Sequence, residues 1–98
     1  MLYMIIYDIT NDAIRTKIAD KLIEASYERL QLSVYIGLEN PKKKKFLWDK
    51  LNDLLADEPE GKFYIFPIPK SSLTQMMNIG KNTLDIAYLT GDKDTLFF

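Results

Sequence analysis

The sequence predicts an α+β fold of the ferredoxin-like kind, a sandwich with two helices on one face of a mostly antiparallel sheet. Three observations lead to this prediction. Two segments each have a strand pattern followed by a helix pattern, the second helix pattern returns to a further strand, and the 98 residues contain no repeat or linker. We therefore expect residues 1–98 to form a single domain, whose modest core leaves any cleft within one protomer shallow.

The first two elements are a strand over residues 2–7 and a helix over residues 11–25. The strand is a near-continuous apolar run, typical of a strand that is covered on both faces or flanked by neighbours, and we expect it to be central. Thr10 or Asn11 can cap the helix. Its apolar stripe consists of Ile14, Ile18, Ala19, Leu22 and Ile23.

Residues 29–38 show the strictest alternation in the chain. The pattern predicts that Leu30, Leu32, Val34, Ile36 and Leu38 face the core and that Arg29, Gln31, Ser33, Tyr35 and Gly37 form a polar face. Ten residues are long for one strand in so small a domain. We therefore expect a bend or a short two-strand arrangement, and alternation alone does not decide between them.

The second half of the chain has one more helix and one more strand. Asn40 and Pro41 begin a helix that reaches about Asp57. Residues 62–69 alternate as a strand, and their two prolines place it at a sheet edge. Residues 73–79 form a short strand or a turn of helix, and residues 91–94 form a turn. The apolar end, Thr95, Leu96, Phe97 and Phe98, is expected to dock on its own sheet or on a partner's.

Composition excludes several classes of catalytic site. The chain has neither Cys nor His, so Ser-His-Asp and Cys-His enzymes, zincins and thiol redox enzymes are excluded. Chemistry would depend on carboxylates, hydroxyls, amines or a hard cation bound by oxygen. The apolar N-terminus meets Asp8 too early for a signal peptide or a membrane span. We therefore expect a cytoplasmic protein that does not contact membranes.

The formal net charge of −1 hides one basic segment. Residues 29–50 hold six basic and two acidic side chains, and Lys42, Lys43, Lys44 and Lys45 begin the second helix. These lysines can form a solvated face, in which Lys45 pairs with Asp49. Alternatively, lysines beside free helix amides bind a phosphate backbone.

Asp8, at the end of the first strand, is the candidate catalytic residue. It can simply form a turn by accepting hydrogen bonds from nearby amides. Alternatively, a two-fold axis beside it would bring two carboxylates together, which repel each other unless a proton or a divalent ion lies between them. The candidate rim around it combines basic and aromatic side chains that grip phosphates and stack bases, with Ser33 as a hydrogen-bonding residue. Its members are Tyr7, Arg15, Lys17, Arg29, Gln31, Ser33 and Tyr35.

The ordered set of Tyr7-Asp8-Ile9, Arg15 to Lys17 and Arg29 to Gly37 resembles the CRISPR-associated protein two family. This family is the small adaptation subunit of CRISPR systems and is described as an endoribonuclease or a double-strand deoxyribonuclease. The resemblance extends to residues 63–69 and to Ile79-Gly80. It departs at Ser26, where the family usually has Gly, at Tyr35, where Phe is commoner, and at Lys17, where Arg is frequent.

The resemblance implies a ferredoxin-like homodimer in which Thr95 to Phe98 add a strand to the partner's sheet. It also implies that Asp8 of each protomer binds a shared Mg²⁺ or Mn²⁺. Tyr7, Arg15, Lys17, Arg29, Ser33 and Tyr35 match the surrounding family positions. The implied partners are duplex DNA or single-stranded RNA and the CRISPR integrase subunit. Two alternatives remain, a non-catalytic DNA-binding scaffold that bridges integrase dimers and a generic ferredoxin-like regulatory or ligand-binding domain.

Overall fold

A computed structural model describes residues 1–81, 84–86 and 89. Within these residues, four strands form one antiparallel sheet in the order β2-β3-β1-β4. The elements are β1 (Leu2–Asp8), α1 (Asp12–Glu24), β2 (Glu28–Gln31), β3 (Val34–Gly37), a 3₁₀ turn (Pro41–Lys43), α2 (Lys45–Ala56), β4 (Lys62–Ile68) and α3 (Lys70–Thr74). This order confirms the predicted ferredoxin-like α+β fold, with β1 as a central strand and β4 at an edge.

The two faces of the sheet are covered by different elements. On one face, α1 and α2 pack a core around side chains that include Ile5, Leu22 and Leu51. On the other face, a smaller core joins Leu2 and Ile36 to the α3 residue Leu73 and to Leu89. The second core covers only one end of its face, and Ile6, Tyr64 and Phe66 at the other end are partly exposed. The sheet therefore has one well-covered face and one partly open face.

Residues 28–37 form a hairpin of β2 and β3, which confirms the second of the two predicted alternatives, a short two-strand arrangement. Gln31 pairs with Val34, so Leu32 and Ser33 make a two-residue turn in which Ser33 has a φ of 68°. The prediction that the leucines of this segment face the core is wrong at Leu32 and Leu38, which are 71% and 54% exposed. Tyr35, predicted on the polar face, is completely buried.

Both predicted helices are present, but one residue of the first apolar stripe and the start of the second helix differ from the prediction. Asn11 caps α1, its side chain accepting a hydrogen bond from the Ile14 N–H at 3.0 Å. Ile23, predicted in the apolar stripe, is 52% exposed. The predicted start of the second helix is a separate 3₁₀ turn at Pro41, and α2 begins only at Lys45. Of residues 73–79, for which a short strand or a turn of helix is expected, only Leu73 and Thr74 are helical, as the last two residues of α3.

Helix α1 ends in a Schellman motif that requires a left-handed residue. The N–H groups of Ser26 and Tyr27 donate to the carbonyls of Ile23 and Leu22, each at 3.0 Å. Ser26 takes the left-handed position with a φ of 72°, which favours glycine by about 1 kcal/mol. Ser26 thus adopts the left-handed conformation of the Schellman motif although it is not glycine.

The side chain of Tyr27 connects the helix end to β3 and to the 3₁₀ turn. Its ring packs against the bare Cα of Gly37, and its hydroxyl donates to the Glu39 carbonyl at 2.6 Å. The Lys44 ammonium lies 5.3 Å from the ring centroid. Burial, with a smaller contribution from Glu39, raises the pKa of Tyr27 to about 12.

Two sequence predictions fall outside the described residues. These are the turn at residues 91–94 and the docking strand formed by Thr95, Leu96, Phe97 and Phe98. Among the helices of the described ranges, none has the length and hydropathy needed to cross a membrane.

Candidate active site

Asp8 is the last residue of β1 and is exposed. Its neighbour in the ladder is Lys62 of β4. Strand alternation places its side chain on the same face as Met4 and Ile6, away from α1 and α2. Its carboxylate forms no hydrogen bond or ion pair with any described residue and is therefore available to a ligand.

An apolar surface adjoins Asp8 on this face. We call it the open sheet face and define it by Met4, Ile6, Tyr64 and Phe66. Ile6 is paired with Tyr64, and Met4 is paired with Phe66, in two successive same-face rows of the ladder. The side chains of Ile6, Tyr64 and Phe66 are 38%, 58% and 39% exposed. Asp8 and Lys62 form the next row, so a charged pair terminates an apolar surface that is only partly covered.

Tyr7 projects to the opposite face and is buried between two other rings. Its ring centroid lies 6.1 Å from that of Tyr35 and 5.6 Å from that of Phe63, with nearly parallel planes. Burial raises the pKa of Tyr7, and the nearby Tyr35 raises it further. The charge of Arg29 and the Ser33 side chain lower it, but they do not offset the burial. Tyr7 therefore keeps its proton at neutral pH.

Arg29 and Ser33 hold the two tyrosines in place. The Arg29 Nε donates to the Tyr35 hydroxyl at 2.9 Å, and the guanidinium carbon lies 5.6 Å from the Tyr35 ring centroid. The Ser33 carbonyl accepts a hydrogen bond from the Tyr7 N–H at 3.1 Å. The two tyrosine rings are buried under the strand end, whereas Arg29 is exposed and Ser33 is partly buried. The prediction that Tyr7 and Tyr35 form an exposed rim is wrong, since both rings are core.

Arg15 and Lys17 have different surroundings at the start of α1. The Arg15 guanidinium donates to the Ile9 carbonyl at 3.0 Å and pairs with Asp12. It therefore ties the loop after Asp8 to the helix. Lys17 is exposed and has no hydrogen bond or ion pair with a described residue. Only Lys17 of this pair is free to meet a phosphate.

The four consecutive lysines also divide into engaged and free side chains. Lys44 is half-buried and donates to the Ala25 carbonyl at 2.8 Å. Lys45 forms the predicted ion pair with Asp49, at 3.0 Å. Lys42 and Lys43 are exposed at the 3₁₀ turn, and neither side chain has a described partner. The local basic surface thus depends on Lys42 and Lys43.

Two residues of the site were missed by sequence reasoning. Lys62 lies beside Asp8, and Phe63 completes the stack on Tyr7. In the sequence both are only members of a strand pattern. The pairing of β4 with β1 is what brings them to the site, and no local signal in the sequence specifies that register.

A divalent cation needs more oxygen ligands than this site offers within one chain. The described residues contain no group of three or more acidic side chains that could hold a metal ion. An exposed, unpaired carboxylate such as that of Asp8 is nevertheless the hard donor that Mg²⁺ prefers, and Mg²⁺ is commonly bound through one or two carboxylates and water. The Asp8 carboxylate is therefore a donor that fits this ion.

Comparisons with known proteins agree on one family. The sequence model described as CRISPR associated protein Cas2 matches residues 1–76. The protein named "CRISPR-associated endoribonuclease Cas2" from Aeropyrum pernix is 35% identical over 86 residues, covering 87% of this chain and 92% of the relative. "CRISPR-associated endoribonuclease Cas2 2" from Pyrobaculum aerophilum is 32% identical over 80 residues, covering 82% and 87%.

Two solved structures share the fold. A hypothetical protein from Thermus thermophilus superposes with a TM-score of 0.64 at 28% identity, covering 85% of this chain and 94% of that one. Cas2 from Streptococcus pyogenes superposes with a TM-score of 0.63, covering 82% and 100%. Its identity is 15%, so this second likeness supports the fold alone.

Proposed function

Because this chain belongs to the CRISPR associated protein Cas2 family, we propose that it is a CRISPR adaptation subunit with metal-dependent endonuclease activity on RNA or double-stranded DNA. The endoribonuclease names of the two curated relatives support the nuclease activity. Asp8 is the proposed metal ligand, contributed by each protomer of a homodimer and shared through Mg²⁺ or Mn²⁺.

The observation that carries the proposal is the position of Asp8 at the end of the open sheet face. Three partly exposed apolar side chains, those of Ile6, Tyr64 and Phe66, leave this face incompletely covered within one chain. A second copy that packs on it about a two-fold axis would bury them. The two Asp8 carboxylates would then lie near the axis, where their repulsion is relieved by a shared cation.

Several residues of this chain would have different roles in phosphodiester hydrolysis. Asp8 would hold the ion, which when bound lowers the pKa of a water molecule and polarises the phosphodiester. Lys62, the ladder neighbour of Asp8, would attract the phosphate charge. The buried cluster of Tyr7 and Tyr35 would fix the strand end that carries Asp8. No step needs an imidazole or a thiol, in agreement with the composition.

Cleavage assays on Asp8→Asn test the proposal. The variant keeps the side-chain shape but loses the charge, so cleavage of single-stranded RNA or duplex DNA with Mg²⁺ should fall at least about a hundredfold. Chelation by EDTA should lower the cleavage activity of the wild-type protein by the same factor, and added Mg²⁺ or Mn²⁺ should restore this activity. The matched control is Asp53→Asn, which removes an exposed carboxylate from α2. Unchanged cleavage by Asp8→Asn would rule out the catalytic role.

A second candidate is a non-catalytic scaffold that binds duplex DNA and bridges dimers of the CRISPR integrase. The exposed, unpaired Lys42 and Lys43 favour it, because such side chains neutralise backbone phosphates. Replacing both with serine should weaken duplex binding at low salt and reduce its salt dependence, by a slope of about 1 for each phosphate that is no longer neutralised. Lys70→Ser is the control for a general loss of positive charge. Binding that is unaffected by removing Lys42 and Lys43 contradicts this role.

A further inference from the structure

A groove lies between the C-terminal end of α1 and the first turns of α2. Its volume is about 440 Å³, and its lining residues are Lys21, Glu24, Ala25, Phe46, Leu47 and Lys50. Leu47 is only 7% exposed and packs into the main core. The groove is therefore an apolar depression with charged edges, on the helical side of the molecule and away from the open sheet face.

Phe46 projects from the edge of this groove almost entirely into solvent. It is 95% exposed, whereas the inward residues of α2, Leu47, Leu51 and Leu54, are at most 8% exposed. Burying a phenylalanine side chain is worth about 1.5–3 kcal/mol, and the fold does not use that free energy here. A large ring next to an apolar depression is the arrangement of a hot spot that contacts a partner.

The charge around the groove is positive once the internal ion pairs are considered. The Glu24 carboxylate is paired with Lys21 at 3.3 Å, and Asp49 is paired with Lys45 at 3.0 Å. Lys50 has no ion pair with a described residue, and neither have Lys42 and Lys43 at the adjacent turn. Asp20 and Asp53 also have no ion pair with a described residue, but neither lines the groove. The unpaired charge on the groove lining is therefore the Lys50 ammonium, beside an exposed ring.

From these features we propose that the groove binds an acidic peptide segment of another protein, anchored by one apolar side chain. The anchor would pack on Phe46 and Leu47, and the acidic side chains would meet Lys50 and the lysines of the 3₁₀ turn. The apolar floor favours a peptide over a nucleic acid, because it offers no partner for the polar edge of a base.

The test selects short random peptides displayed on phage against the full-length protein, with Phe46→Ser as the counter-selection target. Selected peptides should be rich in Asp and Glu and contain a Leu, Phe or Trp. Measured by fluorescence anisotropy, the affinity for the selected peptide should fall about tenfold or more in Phe46→Ser. The affinity should fall less in Lys50→Ser, and it should fall progressively as salt is added. Ile23→Ser is the matched control, an exposed apolar residue of α1 outside the groove, and should leave the affinity unchanged.

Four results would overturn the proposal. The first is a selection that finds no peptide preferring the wild-type protein to Phe46→Ser, and the second is an enriched set that is neutral or basic. The third is a single-stranded oligonucleotide whose binding, unlike that of the peptide, depends on Phe46, which would assign the ring to nucleic acid. The fourth is a loss of the dimer in sedimentation of Phe46→Ser, which would assign the surface to a second copy. Because Phe46 is exposed, Phe46→Ser should keep the wild-type thermal midpoint. This measurement distinguishes the loss of a binding surface from unfolding of the protein.

Discussion

Adding one methyl group to β3 should destabilise the protein severely, because Gly37 lies directly beneath the ring of Tyr27. A Cβ at Gly37 would lie 2.5 Å from the Tyr27 Cε1 and 3.1 Å from its Cγ, and closer still to Cδ1. Ordinary carbon contacts are about 3.5–4.0 Å, so the ring must retreat by about 1 Å. In Gly37→Ala the ring would therefore leave its packed position.

The loss of stability in Gly37→Ala follows from the contacts that Tyr27 would lose. The ring is 4% exposed, and overpacking such a site costs about 1–3 kcal/mol. Moving the hydroxyl away from the Glu39 carbonyl adds about 1 kcal/mol. We expect Gly37→Ala to lower the free energy of unfolding by about 2–4 kcal/mol and the thermal midpoint by roughly 10–30 °C.

Urea denaturation followed by circular dichroism measures this loss, and a double-mutant cycle identifies its cause. In a Tyr27→Ala background the added methyl group meets no ring, so Gly37→Ala should cost less than about 1 kcal/mol there. The same cost in both backgrounds would refute the steric explanation, as would a Gly37→Ala protein with wild-type stability.

Three further predictions concern the helix end, pH and assembly. Ser26→Gly relieves a left-handed residue and should raise the free energy of unfolding by about 1 kcal/mol in the same urea experiment, whereas Ser72→Gly, within α3, should lower it. Burial raises the pKa of Tyr27 to about 12 from an unfolded value of 10.0, so the unfolded chain releases this proton first. The stability that the raised pKa of Tyr27 contributes is complete below pH 10 and is lost as the pH rises to about 12. The thermal midpoint should therefore fall less steeply over this pH range in Tyr27→Phe than in the wild-type protein. Deletion of residues 95–98 should shift sedimentation from dimer towards monomer, and an unaltered profile would contradict strand exchange.

The elements with strong apolar periodicity could be predicted from the sequence. Which side chains of residues 28–37 face the core could not. The alternation pattern counts tyrosine as polar. Tyr35 is nevertheless buried, because the Arg29 Nε supplies a partner for its hydroxyl. Leu32 is exposed because it lies in the turn, where alternation no longer applies.

The candidate site was predictable only where it depends on one segment. Asp8 follows directly from the end of an apolar run. The contribution of Lys62 depends on strand register between β1 and β4, which are separated by more than fifty residues, and the sequence carries no local signal for that pairing. Strand alternation alone places Tyr7 and Asp8 on opposite faces, but which of the two is buried depends on which face of β1 the helices cover, and this is set by the packing of the whole domain.

The anchoring of Arg15 affects how an alanine scan of this region should be interpreted. Its guanidinium bonds to the Ile9 carbonyl, so truncation leaves that carbonyl without its partner and loosens the loop that follows Asp8. Lost cleavage in Arg15→Ala would accordingly be ambiguous between a missing phosphate interaction and a displaced loop. Lys17→Ala removes a charge from the same turn of α1 without breaking a described bond. Comparing the two variants therefore separates electrostatic attraction of the substrate from the geometry of the loop.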